Sequence, residues 1–135
     1  MNLVSIRIIT ANVTAMADFY ERLTGGTVVR LGDQFAEVRT ASATLAIGSV
    51  ETVGLFGPGS VRPADNNTAI IEFLVADVDL EFARLREWIA EFVTEPTTMP
   101  WGNRSLLLRD PDGNLINLFA PVSPDAIEKF ARYER

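Results

Sequence analysis

The strongest constraint on the fold is an order of predicted elements that occurs twice along the chain. In the first copy, an alternating β-rich run at residues 4–10 leads to Asn12, a typical helix N-cap residue, and then to a helical pattern that ends at Gly25. Three further β-like runs follow within residues 27–49. This order of one strand, one helix and three strands is a βαβββ unit.

The same order begins again at Ala69. An apolar strand is followed by the N-cap Asp77 and by a helix with a predicted inner face of Val78, Phe82, Leu85, Ile89 and Phe92. Two clear strands, and a weak one near residues 93–97, complete the second copy. The recurrence of the whole order favours a duplicated unit over chance matches.

A chain of 135 residues has the size of one ordinary domain. We therefore predict an α+β fold made of two tandem βαβββ units in a single domain. The predicted segments are a first unit at 1–53, a linker rich in glycine and proline at 54–67, a second unit at 68–122, and a C-terminal helix at 123–135 that Ser123 caps.

Composition excludes several classes of partner and chemistry. The net charge of −6 repels a nucleic acid backbone, and the apolar runs are too short to span a membrane. The chain has no cysteine and no histidine, so it lacks thiolates and the commonest general base and transition-metal ligand. Because the first residues do not resemble a secretion signal, we expect a cytoplasmic location.

Two motifs extend the argument from fold to family. The run Asp110-Pro111-Asp112-Gly113-Asn114, preceded by Trp101-Gly102, fits a tight hairpin between two apolar strands. The first predicted helix carries Phe19-Tyr20, followed by Leu23 and Gly25. Together with the repeat, these motifs resemble the vicinal oxygen chelate family of glyoxalases, bleomycin-resistance proteins and extradiol dioxygenases over nearly the whole chain.

The resemblance implies that the strands form a curved, open mixed sheet around a cavity. In that family the cavity holds a divalent metal, with His, Gln or Glu ligands from the first and last strand of each unit. The matching positions here are Ser5, Ile47, Ile70 and Asn117. Because none of these is a typical ligand, we expect no metal and no cofactor.

Strand alternation predicts which side chains face the cavity. Arg7 and Glu72 lie at the centres of the two first strands, on the face opposite the residues that pack against the helices. The predicted ligand-binding residues are Ser5, Arg7, Glu37, Arg39, Ile47, Phe56, Ile70, Glu72, Trp101, Leu107, Arg109 and Asn117.

Structural roles remain open for several of these residues. Buried charges need partners, so Arg7, Glu37, Glu72 and Arg109 are also explained by pairing among themselves. Trp101 and Phe56 are interpreted as core or loop anchors before they are stacking residues, because large aromatic residues usually serve packing. Asp110 and Asp112 are interpreted as turn residues.

The leading functional hypothesis is a metal-independent protein that binds a small organic molecule, is similar to the drug-sequestering branch of the family, and forms a homodimer. The acidic balance suits a cationic drug, and no residue is predicted to be catalytic. The alternative is a lyase, isomerase or dioxygenase that has displaced metal ligands or uses Glu37 or Glu72 as a base beside an arginine. A module that binds proteins through the terminal helix is a third hypothesis.

Overall fold

The computed structural model describes residues 1–133 and contains two compact units. The first unit comprises Met1–Asn66 together with Asp110–Gly113, and the second comprises Asn67–Arg109 together with Asn114–Arg135. Across the described part of the chain, no helix is both long and apolar enough to cross a bilayer.

The first unit has the predicted order of elements. They are β1 (Ser5–Thr10), α1 (Val13–Thr24), β2 (Val29–Arg30), β3 (Phe35–Arg39), β4 (Thr44–Ser49) and a 3-10 helix (Val50–Leu55). The strands form one mixed sheet in the order β1-β4-β3-β2, in which β1 and β4 are parallel and the other pairs are antiparallel.

Local sequence explains both ends of α1. The Asn12 side chain accepts a hydrogen bond from the Ala15 amide at 3.0 Å, which satisfies one of the free N–H groups of the first turn. At the other end Gly25 takes a left-handed conformation with φ of 66°, which a residue without a Cβ adopts readily. The predicted cap and stop of α1 are therefore confirmed.

One face of this sheet packs against α1 and forms the core of the first unit. The helix contributes buried side chains at Met16, Ala17, Tyr20 and Leu23, and the sheet contributes Ala36, Val38, Leu45 and Ile47. The strand register places Ile6 and Ile8 on this same face, because they are paired with Leu45 and Ile47. The opposite face, called the uncovered face below, is not packed against α1; only the 3-10 helix that follows β4 approaches it within the described residues, with the Thr52 hydroxyl near Gly48.

The second unit repeats the arrangement. Its elements are β5 (Ile70–Leu74), α2 (Val78–Leu85), β6 (Thr94–Thr98), β7 (Asn103–Arg109), β8 (Leu115–Pro121) and α3 (Pro124–Phe130). The strand order β5-β8-β7-β6 is equivalent to that of the first unit, with β5 and β8 parallel. The predicted α+β fold with two βαβββ units is confirmed.

The second helix is shorter than the sequence pattern predicts. It ends at Leu85 instead of continuing to Phe92, and the amides of Trp88 and Ile89 both donate to the Leu85 carbonyl in a closing turn. The chain then turns back, so that the Phe92 ring lies against the Phe82 ring with 5.0 Å between centroids. This early end lets the Val93 amide reach the Leu107 carbonyl and align the chain with β7.

A buried polar contact joins α1 to the turn at Asp110–Gly113 within the first unit. The Tyr20 hydroxyl donates to one carboxylate oxygen of Asp110 at 2.8 Å, and the other oxygen accepts from the Asp112 amide at 3.0 Å. Asp110 therefore has the predicted turn role and also anchors a helix residue. Burial, followed by the charge of Asp110 and the hydrogen bond to it, raises the pKa of Tyr20.

We predict that Tyr20→Phe destabilises the protein, because it removes a buried hydrogen bond from the Tyr20 hydroxyl to the Asp110 carboxylate. The free energy of unfolding should fall by about 1–3 kcal/mol, measured by urea denaturation at neutral pH. Tyr133→Phe is the matched control, since its hydroxyl accepts a hydrogen bond from the exposed Arg132 side chain. This control should change stability by less than about 0.5 kcal/mol.

The pH dependence gives a second measurement of the same contact. In the unfolded chain Tyr20 loses its proton near pH 10, whereas the raised pKa keeps it protonated in the folded protein. The unfolded state therefore binds fewer protons above pH 10, and stability decreases as the pH rises. Tyr20→Phe should weaken this decrease; equal alkaline slopes in the two proteins would contradict the assignment.

Gly102 is required at the start of α3 in the second unit. Its φ is 92°, and a Cβ added there would lie 2.0 Å from the Ser123 hydroxyl oxygen and 2.7 Å from the Ser123 Cβ. Ser123 caps α3 by accepting from the Ala126 amide, and the Gly102 carbonyl accepts from the amides of Val122 and Ser123. A side chain at Gly102 therefore collides with the cap that holds α3.

We predict that Gly102→Ala destabilises the protein by more than backbone strain alone. Gly113→Ala is the control, because Gly113 has a similar φ of 84° and no atom within 4 Å of an added Cβ. The control should lose about 1–2 kcal/mol from strain, and Gly102→Ala at least about 1 kcal/mol more from the collision. Equal melting temperatures for the two variants would show that the cap adjusts without a penalty.

Candidate functional site

The three charged residues among the predicted site residues of the first unit share the uncovered face of its sheet. Arg7 on β1 and Glu37 on β3 are both paired with Ala46 of the central strand β4, so their side chains point to the same side. Arg39 lies two residues after Glu37 and shares that face. The prediction that Arg7 lies opposite Ile6 and Ile8 is correct.

Arg7 contacts two aromatic rings on this face. Its Cζ atom lies 4.9 Å from the centroid of the Phe35 ring and 5.2 Å from that of Phe56. Both distances are within the range of a cation–π interaction. Phe35 was missed by the sequence prediction, although alternation along β3 places it on the same face as Glu37.

Glu37 and Arg39 pair with one another. The Nε atom of Arg39 lies 2.5 Å from a Glu37 carboxylate oxygen, and the Glu37 side chain is only 21% exposed. This local pair removes Glu37 as a partner for Arg7. The alternative in which the predicted charges pair among themselves is therefore wrong for these two residues.

Phe56 is held beside Arg7 by a segment that the sequence did not predict. A 3-10 helix at Val50–Leu55 follows β4 directly, and the Phe56 amide donates to the Val53 carbonyl at 3.0 Å. Phe56 is 69% exposed and Leu55 is 85% exposed, so neither side chain is a core anchor. The interpretation of Phe56 as a core residue is therefore wrong.

The prediction that Ile47 faces the site is also wrong. Ile47 is fully buried and paired with Ala36, so it belongs to the face that α1 covers. The uncovered face of β4 instead presents Thr44, Ala46 and Gly48. Ser5, paired with Thr44, is on the uncovered face as expected.

The second unit presents its own set of predicted residues on its uncovered face. Strand register places Ile70, Glu72, Leu107, Arg109 and Asn117 on one side of the sheet. Leu106, Leu108 and Ile116 lie on the other side and are fully buried. The prediction of which side chains face each side of β5, β7 and β8 is correct.

Glu72 and Asn117 form the polar centre of this face. The Asn117 amide nitrogen donates to a Glu72 carboxylate oxygen at 2.7 Å, across the parallel pair β5 and β8. The Asn117 side-chain oxygen is buried and has no hydrogen-bond partner within residues 1–133. Asn117 therefore holds one buried acceptor that a bound molecule with a donor group would satisfy.

Trp101 is not brought to this centre. The following residue, Gly102, bonds to Val122, which lies five residues beyond Asn117 along the chain. At about 3.4 Å of rise per residue, that separation is roughly 17 Å. Trp101 is 68% exposed, so it is not a core residue either.

The residues at the family's metal-ligand positions do not fit a metal. The faces of β1, β4, β5 and β8 that lie opposite α1 and α2 carry Ser5, Arg7, Ile9, Thr44, Ala46, Gly48, Ile70, Glu72, Leu74, Leu115, Asn117, Phe119 and Pro121, of which Phe119 is buried beside Phe130 of α3. Glu72 is the one carboxylate in this set, and a shift of the alignment by two residues along any strand adds no second one. Zinc and hard divalent ions both require more anionic or imidazole donors than this set supplies.

The same conclusion follows from the positions of acidic groups in space. Within residues 1–133, no three carboxylate side chains lie close enough together to hold a metal ion. The two faces therefore carry arginine, aromatic, aliphatic and amide groups together with single carboxylates, Glu37 in the first unit and Glu72 in the second.

Comparison with known proteins supports the resemblance seen in the sequence. A family model described as Glyoxalase/Bleomycin resistance protein/Dioxygenase superfamily matches residues 2–118. Comparison with curated proteins gives no significant match.

Solved structures share the fold at low sequence identity. A "conserved domain protein" is 27% identical with a TM-score of 0.71, over 90% of this chain and 99% of its own. A glyoxalase/bleomycin resistance protein/dioxygenase from Nocardioides is 20% identical with a TM-score of 0.75, over 92% of this chain and 85% of its own. A family enzyme from Burkholderia phytofirmans PsJN is 18% identical with a TM-score of 0.78, over 90% of this chain and 100% of its own.

The family model covers most of both βαβββ units, and the fold agrees with it in element order and sheet topology. The chain belongs to the glyoxalase/bleomycin resistance protein/dioxygenase superfamily.

Proposed function

We propose that this protein binds a small organic molecule without a metal ion, as a member of the antibiotic-resistance branch of the superfamily. The observation that carries the proposal is the composition of the uncovered sheet faces. They offer exposed aromatic and aliphatic groups with a few polar ones, which is the usual lining of a site for an organic ligand. They also lack the donor set that the metal chemistry of the family requires.

Each unit contributes polar groups suited to orienting a ligand. In the first unit these are Arg7 and the Glu37–Arg39 pair, and in the second they are Glu72 and the unpaired oxygen of Asn117. A few such groups in an otherwise apolar site fix the orientation of a ligand, because an unmatched polar atom lowers affinity.

The test of this function is ligand binding with and without metal. Protein purified without added metal is screened against small organic molecules by thermal shift, in EDTA and again with zinc, manganese or nickel. We expect stabilising molecules to raise the melting temperature equally under all conditions. Elemental analysis should find no stoichiometric metal.

A metal titration supplies the opposing outcome. Calorimetry with zinc, manganese and nickel should show no stoichiometric binding to the native protein. Saturable binding that is lost in Glu72→Gln, but kept in the control Glu95→Gln on β6, would overturn the metal-free proposal. That result would restore the enzyme hypothesis with displaced ligands.

We also propose a homodimer in the cytoplasm. The edge strand β1 supports the dimer, because its outer backbone groups have no neighbouring strand in the sheet and apolar side chains at this edge are exposed, with Ile6 on β1 at 54% and the preceding Val4 at 60%. A cytoplasmic location is consistent with a chain that contains no cysteine.

We predict that Ile6→Lys shifts the protein from dimer to monomer, because a charge at a buried edge requires desolvation without a partner. Sedimentation velocity over a range of concentrations measures the shift. Leu31→Lys is the control, since Leu31 is similarly exposed at 50% but lies outside β1. A native protein that remains monomeric at high concentration would contradict the dimer.

A further inference from the structure

Arg7 and Arg39 both lie on the uncovered face of the first sheet, but Arg39 is paired with Glu37 whereas the guanidinium of Arg7 contacts two aromatic rings. We propose that it binds the carboxylate of an organic ligand whose flat apolar body lies against Phe56, an inference that rests on the metal-free binding function proposed above. The site consists of Arg7, Phe35, Phe56 and Gly48, with the Glu37–Arg39 pair beside it. All of these residues belong to the first unit.

The two rings leave the hydrogen-bonding edge of Arg7 available. The guanidinium is a flat group whose N–H donors lie in its plane, so contact with an aromatic ring uses its face and not its donors. With the Cζ atom 4.9 Å and 5.2 Å from the two ring centroids, these contacts fix the position of the group. An arginine held in this way is preorganised to form two parallel hydrogen bonds with a carboxylate.

No internal acid occupies that edge. Within residues 1–133, Arg7 forms no ion pair, whereas the neighbouring Arg39 is paired with Glu37. The local charge of Arg7, Arg39 and Glu37 together is therefore positive, on a chain whose net charge is −6. A positive group kept without an internal partner in an acidic protein favours an external anion.

The surroundings of Arg7 favour an organic anion over an inorganic one. Gly48 has no side chain, and a Cβ there would lie 3.6 Å from the Arg7 Cδ atom and 3.4 Å from the Ile9 Cδ1 atom, so the arginine stem lies close over β4. The Phe56 ring, which is 69% exposed, adjoins the charged group. Aromatic surface next to an arginine fork suits a ligand with a flat apolar body and one carboxylate.

The charge of the ligand expected at Arg7 is opposite to the charge expected from the composition of the chain. The overall acidity suggested a cationic drug, but the local charge around Arg7 is opposite in sign to the net charge. Interactions beyond about 8–10 Å are largely screened at physiological salt, so the groups that touch a ligand determine its preferred charge. We therefore expect the site to select an anion.

Three naphthalene probes of nearly equal size test the charge preference. They are 1-naphthoate, the neutral 1-naphthamide and the cationic 1-naphthylmethylamine, each titrated calorimetrically in EDTA. Because charge-assisted hydrogen bonds are about twice as strong as neutral ones, naphthoate should bind about tenfold to a hundredfold more tightly than the amide. Acetate and inorganic phosphate, which lack the apolar body, should not compete at equal concentration.

Variants assign the preference to Arg7. Arg7→Gln should abolish the advantage of naphthoate over naphthamide, and Arg7→Lys should retain part of it, because lysine keeps the charge but loses the planar fork. Arg62→Gln is the control, since Arg62 is exposed and already paired with Asp65. Phe56→Leu should weaken naphthoate and naphthamide alike. The Arg7 Nε–Hε signal in NMR should shift on naphthoate addition, and melting curves show that each variant is folded.

The outcomes separate this inference from the proposed function. Equal binding of the three probes, or a naphthoate preference that persists in Arg7→Gln, overturns the role of Arg7 and leaves metal-free binding intact. If none of the three probes binds while other organic molecules still stabilise the protein in EDTA, the role of Arg7 is also overturned and metal-free binding again stays intact. If no organic molecule binds without metal, both proposals are wrong.

Discussion

The covering of each sheet by helices on one face is the constraint on which the rest of the structure depends. A βαβββ unit packs its crossover helix, α1 or α2, against one face, and that face holds the buried aliphatic residues of the unit. The opposite face must carry residues that tolerate water or a ligand, because no crossover helix covers it. Arg7, Glu37, Glu72 and Asn117 all lie on such faces as a result.

Strand parity explains both the success and the main error of the sequence-based site. Alternation along their own strands placed Arg7, Glu72 and Asn117 correctly, and alignment of the repeats placed Glu37 correctly on β3. For β4, the facing of the side chains was predicted by aligning this strand with β8 of the second unit, and that prediction was wrong. Arg109 pairs with Leu115, whereas the equivalent Arg39 pairs with Thr44, so the first hairpin loop is one residue shorter. That single residue exchanges the two faces of β4 and buries Ile47.

Other parts of the fold were predictable only where the signal was local. The caps Asn12, Asp77 and Ser123 all accept hydrogen bonds from the amides that their positions predict. The end of α2 depends on the distant strand β7, and the bond between Tyr20 and Asp110 joins residues 90 positions apart. Neither pairing has a signature in the neighbouring sequence, because propensity and periodicity describe only a few turns of chain.

The absence of histidine and the position of Arg7 both bear on which group at the site supplies positive charge to a ligand. A metal in this family polarises a ligand through its oxygen atoms, and an oxygen-bearing ligand needs some other positive group when the metal donors are missing. A guanidinium can provide that charge without coordination chemistry, and its planar fork imposes a geometry that a lone ammonium does not. Two aromatic contacts hold Arg7 in place, and the Glu37–Arg39 pair takes the nearest acid. The uncovered face of the first unit thus combines a fixed cation with apolar surface, which is the chemistry needed to bind an organic anion.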